Sequence, residues 1–237
     1  LEEVFEIADR VTVLRDGRHI STQPIAEVTR DSLIGAMVGR SADEFFSRAV
    51  SAATDRPVLE VSGLSVDNVF SDISFVLHAG EVLCLSGLVG ARRTDVGLAL
   101  FGVAPATAGE IRIEGKPVRI ANPQAAMKLG IAYVSEDRRK LGLAMTMPIV
   151  ANASLATLDR YLNGFGLIRR REEREMAESY RTRLNIRTPS VDIAVGTLSG
   201  GNQQKVMLAK WLNLAPRILI LDEPTRGIEV GAKAEVH

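Results

Sequence analysis

The sequence has 237 residues, of which 46% are hydrophobic. That is enough apolar material for one domain of roughly 150 to 200 residues with an appendage, or for two small domains. Lys and Arg number 29 and Asp and Glu number 29, for a formal net charge of +0, so no bulk charge draws the chain to nucleic acid or an anionic membrane. A single cysteine, Cys84, rules out an internal disulfide and favours a reducing, cytosolic setting. No stretch approaches the ~18 apolar residues that cross a bilayer, and no secretory signal opens the chain. Leu1 is not an initiator Met and His237 falls inside a helical pattern, so a piece of a longer protein is expected.

Residues 1–8 have helical spacing and 10–15 alternate as a strand. Asp16-Gly17 turns the chain into a second strand over 18–21. Residues 29–38 are helical again, with Thr29 as cap. A piece this short cannot hold a core alone, so residues 1–40 read as the end of a preceding domain. Residues 41–57, rich in Ser, Ala, Asp and Arg, read as a linker whose Phe45 and Phe46 pack onto something. A fresh pattern begins at Val58, with strands over 58–61 and 73–77. Ala79-Gly80 then turns into a buried strand over 82–85, where Cys84 serves as a small core residue.

A glycine-bearing loop and a helix over 93–101 come next. A hairpin of 110–113 and 118–120 turns around Gly115, before a short helix over 122–129 and a strand over 131–134. Residues 148–186 keep helical periodicity, broken near Asn163-Gly164. Within them Arg169-Arg170-Arg171 is followed at once by Glu172 and Glu173, which is the pattern of a solvated helix face. A long helix over 199–214 precedes residues 217–221. That run is short, apolar and rich in branched side chains, and reads as a central strand covered on both faces, as in parallel sheets. Strands alternating with helices argue α/β.

Three groups of residues carry possible chemistry. Gly87-Leu-Val-Gly90-Ala-Arg92-Arg93-Thr94 follows the predicted strand and opens a helix, the context of a phosphate-binding loop. Glycines let backbone N–H groups curl round phosphate oxygens, and the helix start adds positive potential. Thr94 stands where a hydroxyl holds Mg²⁺. Arg92 replaces a glycine and Arg93 the lysine; arginine keeps the charge but not the compact ammonium. A plain strand-to-helix turn is the other reading. Asp222 and Glu223 end the last apolar strand, where open α/β sheets bind ligands. There Asp222 would hold Mg²⁺ and Glu223 would polarise the attacking water; the alternative is a pair of helix-capping acids. Ser199-Gly200-Gly201 opens a helix with its N–H groups exposed to an anion, or is an ordinary serine cap.

Leu198-Ser-Gly-Gly-Asn-Gln-Gln204 followed by Ile218-Leu-Ile-Leu-Asp-Glu-Pro-Thr225 resembles the signature motif and Walker B of ABC ATPases. With Gly87-Leu-Val-Gly90, Ser135-Glu-Asp-Arg138 and Pro224-Thr-Arg-Gly-Ile-Glu-Val-Gly231, the chain looks like the second nucleotide-binding half of tandem ATPases for ribose, galactose or xylose uptake. Residues 3–17 look like the tail of the first half. The resemblance implies an α/β ABC nucleotide-binding domain over 58–237, truncated at its C-terminus. It would have a RecA-like P-loop core, an antiparallel β subdomain and a helical insert over about 148–195 that meets the membrane subunits.

The same resemblance implies ATP and Mg²⁺ as ligands. Gly87, Gly90, Arg92, Arg93 and Thr94 would line the nucleotide, with Thr94 and Asp222 on Mg²⁺ and Glu223 catalytic. Glu136 would take the glutamine-loop position and Glu229 that of the D-loop acid. Ser199, Gly200, Gly201 and Gln203 would reach the nucleotide of the opposing half. Phe70 is the nearby aromatic for adenine stacking, and His237 is too close to Glu223 to be the switch histidine. Implied partners are the first half of the same chain, transmembrane permease subunits and, indirectly, a periplasmic sugar-binding protein, with no nucleic acid. The implied location is the cytoplasmic face of the bacterial inner membrane, peripherally bound. The expected activity is ATP hydrolysis coupled to sugar import, with this half a degenerate site and the chain alone inactive. A nucleotide sensor without turnover and an ABC protein acting on ribosomes or DNA are the competing classes.

Overall fold

A computed structural model describes residues 2–15, 17–38 and 53–224. The chain divides into two compact units, one within residues 1–50 and one within 51–226. Phe45, Phe46, Glu229 and His237 lie outside the described residues, as does most of the expected linker.

In the first unit, α1 (Glu2–Ile7) leads into an antiparallel pair of β1 (Arg10–Arg15) and β2 (Arg18–Pro24), followed by α2 (Arg30–Val38). Thr29 caps α2 as its spacing predicts. Its Oγ1 accepts from the Ser32 N–H at 3.1 Å while the Ser32 Oγ accepts from the Thr29 N–H at 3.0 Å. Among the described residues of this unit, Val13 and Leu33 are the buried apolar side chains.

The second unit opens with an antiparallel sheet of β3 (Pro57–Val66), β4 (Phe70–His78), β5 (Ala108–Ile113) and β6 (Lys116–Val118), in the order β4-β3-β5-β6. Its inner face carries Leu59, Val61, Leu64, Ile111 and Ile113, the period-2 alternation of a half-buried sheet. Helix α3 (Arg93–Phe101) lies between β4 and β5 in sequence. Helix α4 (Pro123–Lys128) starts at Asn122, whose Oδ1 accepts from the Ala125 N–H at 2.9 Å. Then β7 (Ile131–Val134) pairs in parallel with β8 (Ile218–Leu221), Ile131 opposite Ile218 and Val134 opposite Leu221.

Every residue of β7 is buried. Helix α3 presses onto this ladder through Gly97. A Cβ there would lie 3.0 Å from the Tyr133 ring and 3.4 Å from Ile220, so the helix approaches only because that side chain is missing. Phe101 stacks on Tyr133 at 5.6 Å and meets Trp211 edge-on at 5.4 Å. This joins α3 and β7 to α7 (Gly200–Leu212), the helix before β8.

Residues 148–195 leave and re-enter the unit side by side. Pro148 bridges Ala194, and the Val150 N–H donates to the Val191 carbonyl at 2.9 Å. Between them run α5 (Ile149–Ser154), a 3-10 segment (Leu155–Tyr161) and α6 (Arg170–Arg183). The break expected near Asn163 is a small loop closed by a bridge between Leu162 and Ile168. Among the described residues no helix is long and apolar enough to cross a membrane.

Two expectations fail. Residues 82–85 join no ladder, Val82 is 94% exposed, and Cys84 is exposed rather than in the core. Nor is β8 covered on both faces, since Leu221 is 47% exposed and Leu219 also faces out. The reason is shared. An apolar run becomes a buried parallel strand only with neighbours on its edges and helices on its faces, and among the described residues β7 is the only strand paired with β8. The strand covered on both sides is β7.

Candidate functional site

The 87–94 turn and the acids after β8 meet, although 128 positions separate Thr94 from Asp222. Thr94 Oγ1 donates to Asp222 Oδ1 at 3.1 Å. Tyr133 Oη donates to the other oxygen, Oδ2, at 2.7 Å. The Asp222 N–H donates to the Val134 carbonyl at 2.9 Å, extending the β7–β8 ladder by one bond. The carboxylate is thereby fixed at the C-terminal end of parallel strands, where open α/β sheets take ligands.

The turn is shaped by its small residues. A Cβ on Gly87 would lie 2.9 Å from the Ala91 side chain, and the Ala91 N–H closes back on the Leu88 carbonyl at 3.0 Å. Gly90 has φ +88°. Arg92 is the N-cap of α3 in the left-handed region (φ 62°), and no side chain caps the helix. First-turn N–H groups of α3 are left without a side-chain acceptor at the cap, as an anion site requires. Glu223 is left-handed too, at φ 45°. Each costs about 1 kcal/mol for a side-chain-bearing residue, and such strain gathers where a site over-determines its backbone.

The two arginines are engaged by acids. Arg93 Nη2 lies 3.5 Å from Glu223 Oε1, and Arg92 Nη1 lies 3.7 Å from Asp95 Oδ2. These pairs are partly exposed, so they orient side chains more than they stabilise the fold. Tyr133 is different. Burial, the Asp222 hydrogen bond and charge, and the charges of Glu136 and Asp95 together push its phenol far above the ordinary range. It stays a proton donor to Asp222.

A hydroxyl and a carboxylate oxygen 3.1 Å apart, beside an uncapped helix start, are the hard oxygen donors that suit a hydrated magnesium ion between protein and phosphate. The residues present fit both Mg²⁺ and a polyphosphate.

The Ser199 end of α7 is built differently. Ser199 is exposed, and its side chain does not cap α7 but accepts from Asn202 Nδ2 at 2.9 Å. Gly200 and Gly201 begin the helix. Gln203 is only 3% exposed; its Nε2 donates to the Leu198 carbonyl at 2.9 Å and its Oε1 accepts from Arg138 Nε at 3.2 Å. Among the described residues no hydrogen bond or ion pair joins Ser199, Gly200, Gly201 or Gln203 to the 87–94 turn. Glu136 sits half-buried in the loop leaving β7, a loop pinned onto α7 by Arg138 at Gln203 and by Lys210 Nζ at the Gly142 carbonyl. Phe70 opens β4 half-buried.

Sequence reasoning missed Tyr133 and Arg138. Tyr133 was legible only as the one polar side chain in the predicted strand 131–134. Arg138 carried no signal apart from the motif that contains it.

The family model described as ABC transporter matches residues 70–226. A protein of Agrobacterium fabrum with the provisional name ribose/galactose/methyl galactoside import ATP-binding protein 1 is 49% identical over 237 residues, covering 100% of this chain and 47% of that protein. The Ribose import ATP-binding protein RbsA of Rhodococcus jostii is 49% identical over 236 residues, covering 100% of this chain and 46% of its own length. The chain therefore spans about half the length of the curated relatives it matches. Among solved structures, cbiO1 from Clostridium perfringens, part of the ABC transporter complex cbiONQ, aligns at TM-score 0.60 and 23% identity over 76% of this chain and 70% of that one. MJ1267, an ATP-binding cassette of an ABC transporter, aligns at TM-score 0.63 and 19% identity over 76% of this chain and 74% of that one. Their likeness is one of fold: the ATPase domain of ABC transporters, mixed α/β with an antiparallel sheet.

Proposed function

This chain belongs to the ABC transporter family, and from that premise we propose that it is part of an ATP-binding subunit that couples ATP hydrolysis to import of a simple sugar. The reading rests on one observation above others, the hydrogen bond of Thr94 to Asp222 at the mouth of the 87–94 turn. The import names of the relatives supply the transport class.

In this reading Gly87, Gly90 and the first turn of α3 bind the phosphates through backbone N–H groups. Thr94 and Asp222 hold Mg²⁺, which when bound neutralises phosphate charge. Tyr133 keeps Asp222 oriented by donating to it. Glu223 stands where an acid would polarise the attacking water. Ser199, Gly200 and Gly201 are the anion-facing tip offered to an opposing nucleotide-binding half, with Gln203 locking the tip from behind. Glu136 and the helical segment 148–195 face the membrane permease, which receives sugar from a periplasmic binding protein. The subunit then sits on the cytoplasmic face of the bacterial inner membrane. Residues 1–40 belong to the first nucleotide-binding half, 41–57 are the linker, and 58–237 belong to the second half.

We further infer that this half is degenerate. Arg92 places a side chain where the backbone should approach phosphate, and Arg93 spends its charge on Glu223, the acid that would otherwise activate water. Hydrolysis then falls to the opposing site, completed by Ser199, Gly200 and Gly201 of this half. In the full-length protein the double substitution Arg92→Gly, Arg93→Lys is expected to raise labelled-ATP binding at this loop. Unchanged affinity there would refute the assignment of the arginines. Steady-state turnover by residues 1–237 alone would refute the dependence on an opposing half.

A further inference from the structure

The β7–β8 ladder has a second end. At its N-terminal side, just before Ile131 and Ile218, Gly130 and Arg217 line a cavity of about 360 Å³. Arg217 and Asp222 flank the four-residue strand β8, so this cavity lies about 16 Å along the ladder from Asp222, on the side away from the 87–94 turn. Its lining also includes apolar side chains, the buried Ile113 together with Val118, Met127, Leu129 and Leu214.

The charged lining is one-sided. Lys116, Lys128, Arg160 and Arg217 face a single carboxylate, Glu114. That carboxylate is already used twice, by Arg217 at 2.8 Å and by Arg56 at 3.1 Å. Arg160 donates only to neutral carbonyls, those of Asn213 at 2.8 Å and Leu214 at 3.2 Å. Lys116 and Lys128 have no ionic partner among the described residues. Part of this positive charge answers the C-terminal ends of α4 and α7, each worth about half a negative charge. Crediting both helix ends in full, along with Glu114, still leaves about two positive charges around the cavity.

We propose that this cavity is a binding site for a small phosphomonoester, a phosphate dianion on a compact body that packs against these apolar side chains. A phosphomonoester carries about −1.5 to −2 charges at neutral pH, which matches the residual charge, whereas a monocarboxylate would leave half of it uncompensated. The volume is at the lower end of small-molecule sites and leaves room for a sugar-sized body. Lys116 and Lys128 approach from a strand and a helix as point charges, and Arg160 is held in place by the end of α7. The proposal does not rest on the nucleotide reading, which concerns the opposite end of the ladder.

The test is calorimetric titration of the full-length protein with glucose 6-phosphate, inorganic phosphate and glucose. Glucose 6-phosphate is expected to bind saturably and glucose not at all. Phosphate binding more weakly than glucose 6-phosphate supports a phosphorylated metabolite as occupant; equal binding supports the same site with free phosphate as its source. The double variant K116Q/K128Q, both residues exposed, is expected to weaken glucose 6-phosphate at least about 10-fold. K116R/K128R should retain it, and R93A, which alters the other end of the ladder, should leave it unchanged. Absence of saturable binding, or equal affinity in K116Q/K128Q, overturns the proposal; so does loss in R93A alone, which would assign the binding to the 87–94 turn.

Discussion

Thr94 and Tyr133 share one carboxylate, each donating to a different oxygen of Asp222. Asp222 is thus positioned by two hydroxyls from two different elements, α3 and β7, before any ligand arrives. Neither contact follows from the local pattern of its own element.

Y133F removes one of these donors while keeping the ring that stacks on Phe101. The expected cost is about 1.5 to 3 kcal/mol, the range for a hydrogen bond to a charged group, read as a lower urea midpoint at unchanged slope. The pH dependence has a definite sign. Tyr133 has its phenol pKa raised in the folded state, so its contribution is complete below the ordinary tyrosine range and declines above about pH 10, where the unfolded chain loses the proton first. Of the three tyrosines, one should resist ionisation in an ultraviolet titration until the protein unfolds. Titration of all three at ordinary pH with the fold intact would contradict the buried Asp222 contact.

Lys210 works in the opposite direction. Burial lowers its pKa to about 8, with Nζ donating to the Gly142 carbonyl and lying over the Trp211 ring. Between about pH 8 and the ordinary lysine value near 10 the unfolded chain binds the extra proton, so stability rises with pH across that window. K210M should flatten that rise, as measured by urea unfolding at pH 7.5 and 9.5. A slope equal to that of the parent protein would count against a strained buried ammonium.

Gly97 marks the point where α3 touches β7 and β8. Gly97→Val places methyl groups where a Cβ alone already lies 3.0 Å from the Tyr133 ring. Overpacking of this kind costs about 1 to 3 kcal/mol, and here it also pushes α3, and Thr94 with it, away from Asp222. A thermal midpoint within error of the parent protein would show that the helix has slack the structure does not indicate.

Much of this was legible in the residues. Helix α3 was read at its observed bounds because its glycine-rich approach and apolar spacing agree. Thr29 announced its helix as a cap, and the short helix after Asn122 was read within one or two residues of its bounds. Local patterning was misleading at 82–85 and at β8, where apolar composition stood in for burial. Whether such a segment is covered depends on partners distant in sequence, which periodicity cannot register. The same limit explains the candidate site. The 87–94 turn and the acids 222–223 were visible as motifs, but Tyr133, which joins them, lies in a third segment and is an ordinary strand aromatic by every local measure. The charged cavity at the other end of the ladder is assembled from four separate stretches, none of which stands out alone.

Arg160 fastens the end of the 3-10 segment to the Asn213 and Leu214 carbonyls just after α7, and its own carbonyl accepts from Arg169 at the start of α6. The 13-residue α7 is a rod of about 20 Å with that clamp at one end and Ser199 at the other. A tilt of about 5° about the clamp would swing the serine by about 1.7 Å, more than enough to make or break a hydrogen bond. The insert thereby holds the short arm of a lever whose long arm ends at Ser199.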